Sequence, residues 1–111
     1  MKTKKMFLIK TDGSITRLPQ LEGKELSFSD MYPIIGCTTI EHIGLKKEVD
    51  MWVDEEGLMK SDFVGNRLAS KMYQEAYPHI SPEDLGVVGN AIVTDNTKAG
   101  EYIVGTYYKN Q

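Results

Sequence analysis

Cysteine is almost missing from this sequence, since Cys37 is the only one among 111 residues. A single cysteine excludes an intrachain disulfide framework and any zinc site built from several cysteines. Long apolar runs are missing as well. The run near the N-terminus covers only Met6 to Ile9, shorter than the roughly 7 residues of a signal-peptide core or the roughly 20 of a membrane span. We therefore expect a cytoplasmic protein without a membrane partner.

An excess of positive charge is also lacking, because 13 basic residues stand against 16 acidic ones, for a net charge of −3. Broad binding to nucleic acids or to anionic membranes needs a basic field, so the sequence argues against both and leaves room only for a local basic patch. With 41% hydrophobic residues the chain is too apolar for a disordered protein. Its length suits one core, and we predict a single domain over residues 1–111.

Familiar catalytic and metal-binding motifs do not occur in the sequence. The glycine patterns of phosphate-binding loops and the G-x-S-x-G element of hydrolases are missing. His42 and His79 lie in no two-histidine metal motif, and the acidic residues between Asp50 and Glu56 lack the spacing of a calcium loop. Cys37 follows the predicted end of a helix, so we expect a buried structural cysteine rather than a nucleophile. We therefore predict a non-enzymatic protein that needs no metal and no cofactor.

The clearest strand signal lies between Glu48 and Asp54, where apolar and polar residues alternate. One side of this strand is predicted to face the core and the other to face away, with Val49, Met51 and Val53 inside and Asp50, Trp52 and Asp54 outside. The preceding run, Thr38–Leu45, predicts the partner strand of a central hairpin. Two more hairpins are predicted, one over residues 4–18 and one from Gly86–Thr94 with Glu101–Tyr108.

Two helices are predicted between these hairpins. Phe28–Ile35 follows candidate cap residues and ends at Gly36, although Pro33 interrupts its hydrogen bonding. Asn66–Tyr77 shows an apolar face at helical spacing, with Asn66 as a candidate N-cap. The sequence thus predicts an α+β domain of about six mostly antiparallel strands and two helices in the order ββαββαββ.

Aromatic and basic side chains suggest a binding surface. We expect both helices to cover one face of the sheet, which leaves Trp52 and tyrosines such as Tyr102 on the other face, where they can stack a ring. Arg67 and Lys71 lie one turn apart at the start of the second helix, where a helix favours anions. Asn66 either contributes an amide to the same binding surface or only caps the helix. The alternative is that Trp52 covers the sheet or a subunit interface while the basic pair is solvated. An uncovered aromatic face also predicts a homodimer or a higher oligomer.

Four segments of the sequence resemble a known family. They are GCTTIEHIGL at Gly36–Leu45, MWVDEEGLMK at Met51–Lys60, NRLAS at Asn66–Ser70 and VVGNAIV at Val87–Val93. Together they resemble a family of small proteins that is classed as a domain of unknown function and is common in phages, prophages and plasmids. The resemblance implies an origin in a phage or mobile element and a place in the cytoplasm of a bacterial host.

The resemblance also implies a class of function, because counter-defence is a plausible role for small phage proteins without catalytic motifs. The first hypothesis is a protein that sequesters a nucleotide-like immune signalling molecule, with Trp52 stacking the base, Arg67 and Lys71 binding phosphates, and Asn66 and Tyr102 nearby. The alternative is an inhibitor that binds a host enzyme or defence protein through the aromatic and acidic face around Trp52.

Overall fold

The structure is a computed structural model, and it describes residues 5–23, 25, 27–60, 64–97 and 101–107. The strands in these ranges are β1 (Lys5–Ile9), β2 (Ile15–Arg17), β3 (Ile40–Lys46), β4 (Val49–Asp54) and β5 (Ala91–Asp95). The α-helices are α1 (Phe28–Ile35), α2 (Arg67–Ala76) and α3 (Glu101–Thr106). Short 3-10 turns cover Pro19–Leu21, Gly57–Met59 and Pro82–Asp84. None of the helices in these ranges is long and apolar enough to cross a membrane.

The strands form one antiparallel sheet of five strands in the order β2-β1-β5-β4-β3. The strand that comes last in the chain, β5, lies at the centre of the sheet between β1 and β4. The predicted N-terminal and central hairpins are present as β1–β2 and β3–β4. The predicted α+β class, with antiparallel strands built from hairpins, is therefore confirmed.

One face of the sheet is covered by α2 and α3. On this face, Ala69 and Met72 of α2 and Ile103 of α3 belong to one buried cluster with Met51 and Val93 of the central strands. The inward side of β4 is buried as its alternating sequence predicts. We refer to this side of the sheet as the α2 face.

The opposite face, the α1 face, is covered by α1. Met31 and Ile35 pack in a second buried cluster with Met6, Leu8 and Ile92. The expectation that the two longer helices share one face is therefore wrong. The physical reason lies in β5, where consecutive apolar residues are 0% exposed on both sides of the strand, and a strand buried on both faces needs a cover on each.

Local sequence sets the ends of the two predicted helices. Gly36 ends α1 in the left-handed conformation, with φ of 84°, and its N–H donates to the carbonyl oxygen of Tyr32 at 2.8 Å. Asn66 caps α2, because its Oδ1 accepts a hydrogen bond from the backbone N–H of Ala69 at 3.0 Å. Both helices thus match their predictions, even though Pro33 lies inside α1.

The C-terminal hairpin predicted from Gly86–Thr94 and Glu101–Tyr108 is wrong in its second half. Residues from Glu101 to Thr106 form α3, so the element order is ββαββαβα. The buried carboxylate of Asp95 holds this helix in place by accepting hydrogen bonds from the N–H groups of Thr97, at 3.2 Å, and Ile103, at 2.8 Å. Aromatic and β-branched residues favour a strand here by propensity, but these capping bonds and the burial of Ile103 outweigh that preference.

The long edge strand β3 is irregular and partly capped. Its pairing with β4 shifts register between Gly44 and Lys46, which marks a β-bulge. The hydroxyl of Tyr77, at the end of α2, donates to the carbonyl oxygen of Gly44 at 2.6 Å. The opposite edge strand, β2, has only three residues. The bulge and this bond therefore block one end of β3, and the short β2 offers little to an incoming strand.

The side chain of Asn66 connects three segments of the chain. Its Nδ2 donates to the carbonyl oxygens of Ile9 and Gly89, each at 2.9 Å, while its Oδ1 caps α2. The residue is 1% exposed, so these bonds form away from water. They join the end of β1, the segment before β5 and the start of α2.

Replacing Asn66 with alanine is expected to lower the free energy of unfolding by about 2–4 kcal/mol, because the helix cap is lost and two carbonyl groups lose a hydrogen bond inside the protein. Urea unfolding followed by circular dichroism measures this change. Asn66→Ser keeps a capping oxygen on a side chain too short to reach the two carbonyl groups, so it separates the two contributions. Ordinary surface substitutions change the free energy of unfolding by up to about 0.5 kcal/mol. A smaller loss than this for Asn66→Ala would show that the three hydrogen bonds of Asn66 do not stabilise the fold.

Candidate functional site

The predicted site residues are separated by the sheet. Trp52 packs on the α1 face, whereas Arg67 and Lys71 are exposed on α2, which covers the other face. The predicted convergence of a stacking ring and two phosphate-binding cations is therefore not present within one protomer. Alternation along β4 correctly places Trp52 away from the residues that pack against α2, but no sequence pattern shows on which face each helix lies.

Trp52 lies between α1 and the edge strand β3. Its ring centroid is 5.9 Å from that of Phe28 and 4.7 Å from that of His42, which is its cross-strand neighbour. Among the described residues, none accepts a hydrogen bond from the buried Nε1 of Trp52. His42 Nε2 lies 2.6 Å from Asp50 Oδ1 at the rim. We call these four residues, Phe28, His42, Asp50 and Trp52, the aromatic surface.

The other predicted site residues, Asn66 and Tyr102, also lie on the α2 side of the sheet. Asn66 is buried, and its amide already makes the three hydrogen bonds described above, so it offers nothing to an external ligand. Tyr102 is 8% exposed in α3, with its ring centroid 5.4 Å from that of Tyr107. Tyr102 therefore lies on the opposite side of the sheet from Trp52.

A cleft that the sequence did not predict opens at one end of the sheet. It has a volume of about 250 Å³ and lies where β1, α1 and β4 end and where β5 is about to begin. Its wall combines apolar and polar side chains, among them Thr11, Ile35, Asp54, Lys60, Val88 and Asn90. Two glycines in left-handed conformations, Gly36 and Gly89, complete it. We call it the sheet-end cleft.

An ion pair lies in the wall of the sheet-end cleft. Lys60 Nζ is 2.6 Å from Asp54 Oδ2, and Asp54 Oδ1 accepts a hydrogen bond from the N–H of Glu56 at 2.9 Å. The Asp54 side chain is only 8% exposed, whereas that of Lys60 is 44% exposed. A buried carboxylate therefore positions a cation that remains accessible to solvent.

A shallower surface adjoins the cleft and shares Gly36 and Lys60 with it. This surface, which we call the shelf, borders a largely open volume of about 590 Å³ and includes Tyr32, Pro33 and Cys37. Burial raises the pKa of the Cys37 thiol, and the nearby Asp54 carboxylate raises it further. The thiol therefore stays protonated near neutral pH, which agrees with the predicted structural cysteine. In the described part of the chain, no three histidine, cysteine or acidic side chains come together in a way that could hold a metal ion.

The fold and the cleft define a class of protein: a small α+β domain whose antiparallel sheet is covered by helices on both faces and bears a cleft at one end. A family described as a domain of unknown function, DUF3846, matches residues 4–108, and the chain belongs to this family. The resemblance to a domain of unknown function is thereby confirmed. No curated protein and no solved structure matches the chain.

Replacing Trp52 tests how its ring contributes to the fold. Trp52→Ala is expected to lower the free energy of unfolding by about 2–4 kcal/mol, because the packing under Phe28 is lost. Trp52→Phe is expected to cost less than about 1.5 kcal/mol, since it keeps an aromatic ring and removes a buried donor without a described partner. Chemical denaturation of both variants measures the difference. Equal losses for the two substitutions would show that the ring's packing is not the main contribution.

Proposed function

We propose that the protein is a non-enzymatic binding protein of a phage or mobile element, and that it sequesters a nucleotide-like molecule as part of counter-defence. The observation that supports this function is the position of Lys60, where the sheet-end cleft meets the shelf. Concave sites with a mainly apolar wall and a few convergent polar groups are the usual places for small ligands, and the shelf lies within the roughly 300–1,000 Å³ typical of them.

The chemistry of the walls favours a ligand with one anionic group and one flat ring. The Lys60 ammonium, held by Asp54, would pair with a phosphate oxygen in a charge-assisted hydrogen bond. Tyr32 and Pro33 give the shelf a surface against which a base can stack. Thr11 and Asn90 in the cleft provide polar groups for sugar hydroxyls. The proposal thus keeps the predicted class of ligand but moves its site away from Trp52, Arg67 and Lys71.

Ligand binding should appear as a thermal shift of the purified protein. We would screen cyclic dinucleotides, isomers of cyclic ADP-ribose and simple nucleoside phosphates. A ligand present at 100 times its Kd is expected to stabilise the protein by about 2.7 kcal/mol. Lys60→Met should weaken binding by about 10-fold or more, because a charge-assisted hydrogen bond is lost, whereas Lys60→Arg should retain most of it.

The matched control is Lys71→Met, which removes a lysine from the exposed surface of α2 on the other side of the sheet. This variant should bind like the original protein. Because Lys60→Met also leaves the Asp54 carboxylate without its cation, the ligand-induced shift of each variant is compared with its own ligand-free value. The proposed site would be wrong if Lys71→Met, and not Lys60→Met, abolished the shift. The function itself loses support if no compound in the screen stabilises the protein.

The aromatic surface favours a second candidate function, in which the protein inhibits a host enzyme or defence protein by direct contact. Phe28 is 48% exposed and packs on the ring of Trp52, while His42 and Asp50 form a polar rim beside it. An aromatic centre with a polar rim is the usual composition of an interaction hot spot. The same surface would serve self-association, which keeps a homodimer as a proposal.

A phage plating assay separates the two candidate functions. The protein would be expressed in bacteria that carry nucleotide-signalling defence systems, and restored plating of a sensitive phage would be scored. Sequestration predicts that Lys60→Met loses the effect while Phe28→Asp keeps it, and inhibition by contact predicts the reverse. Val104→Asp, which changes an apolar residue that is 42% exposed on α3, is the control for added charge. If Lys60→Met, Phe28→Asp and Val104→Asp all failed to restore phage plating, the assay would favour neither site.

A further inference from the structure

A third surface, on the α2 face, contains aromatic rings, a carboxylate and a cation in close contact. Tyr102 and Tyr107, at the C-terminal end of the described chain, line a groove of about 200 Å³ together with Glu75 of α2 and Lys46 of β3. None of these residues lines the sheet-end cleft or the shelf, so the groove is separate from the site of the proposed function.

The two tyrosine rings form a corner. Their centroids are 5.4 Å apart and their planes are inclined by 59°. The hydroxyl of Tyr107 donates a hydrogen bond to Glu75 Oε1, which fixes the carboxylate beside the rings. Burial raises the pKa of Tyr107, and its hydrogen bonds to Glu75 and Tyr102 raise it further, so the hydroxyl remains protonated and keeps this contact at neutral pH.

A cation already lies over one ring of this corner. Lys46 Nζ is 4.9 Å from the centroid of the Tyr102 ring, within the roughly 6 Å at which the face of an aromatic ring attracts a positive charge. Lys46 is otherwise exposed at the end of the edge strand, where its side chain could extend into solvent. The two rings and the carboxylate thus form a partial cage, and Lys46 covers its Tyr102 wall.

We propose that this groove is a binding site for a methylated ammonium group, and that Lys46 is an internal competitor for it. A carboxylate beside two inclined aromatic rings suits a cation and disfavours a phosphate. A methylated ammonium suits the rings better than a primary ammonium does, because it is weakly hydrated and its methyl groups contact the ring faces. An incoming ligand first has to displace Lys46 from the Tyr102 ring. The free energy that this displacement requires lowers the apparent affinity of the unaltered protein for the ligand.

Lys46→Met tests the competition directly, because methionine keeps most of the apolar stem, one heavy atom shorter than lysine, but removes the charge. Tetramethylammonium would be titrated into the full chain while the ring resonances of Tyr102 and Tyr107 are followed by NMR. We expect the variant to bind at least about 5-fold more tightly than the unaltered protein, a factor within the range of a single cation–π contact. Equal affinities would overturn the role assigned to Lys46.

Variants of the cage itself test the site. In the Lys46→Met background, Glu75→Gln should weaken binding by about 5-fold or more, whereas Glu83→Gln, on an exposed 3-10 turn elsewhere, should not. Tyr102→Leu should abolish the response of the Tyr107 ring resonances, and circular dichroism checks that the variant still folds. Binding that survives both Glu75→Gln and Tyr102→Leu would overturn the proposal.

Three further titrations decide the source of the methylated group. Choline represents a free small cation, and a trimethyllysine peptide represents a modified protein, with the unmethylated peptide as its reference. Tighter binding of the trimethyllysine peptide than of choline would indicate a protein partner, and the reverse order would indicate a small molecule. If neither binds better than the unmethylated peptide, selectivity for methylation is overturned.

Discussion

The side-chain amide of Asn66 is the contact on which the rest of this structure depends. It accepts one hydrogen bond from the first turn of α2 and donates two others, to Ile9 at the end of β1 and to Gly89 before β5. Because β1 and β5 are neighbours in the sheet, these bonds set the position of α2 relative to the strand pair at the sheet's centre. The walls of the sheet-end cleft come from the same junction, so the amide supports the cleft without lining it.

Patterns within single elements were readable from the sequence. Alternation identified the core side of β4, and Gly36 and Asn66 marked the limits of two helices. Contacts between elements were not readable in the same way. The face on which α1 lies depends on β5 being inserted between β1 and β4, and the C-terminal helix depends on capping by Asp95, a residue outside that helix. Both are tertiary effects that local propensity does not record.

The candidate site shows the same division between local and tertiary information. Trp52 is the chain's single tryptophan, but its ring packs against Phe28 and His42. Nothing in the sequence distinguishes Lys60, since an isolated lysine after an acidic turn is ordinary. Its significance depends on the distance to Asp54 and on two concave surfaces that meet beside it. The acidic residues between Asp50 and Glu56 are the available signal, and their spacing by itself only excludes a calcium loop.

The hydrogen bond from Tyr77 to the carbonyl oxygen of Gly44 affects how readily the protein aggregates at high concentration. A sheet with an open edge tends to join other sheets as its concentration rises, which ends in aggregation. Here the bulge and the bond from Tyr77 protect one end of the long edge strand β3, and the short β2 limits pairing at the other edge. The proposed sequestration would require as many protein molecules as target molecules, because each would remove only one. Edges that resist pairing would lower the tendency of the protein to aggregate at such a concentration.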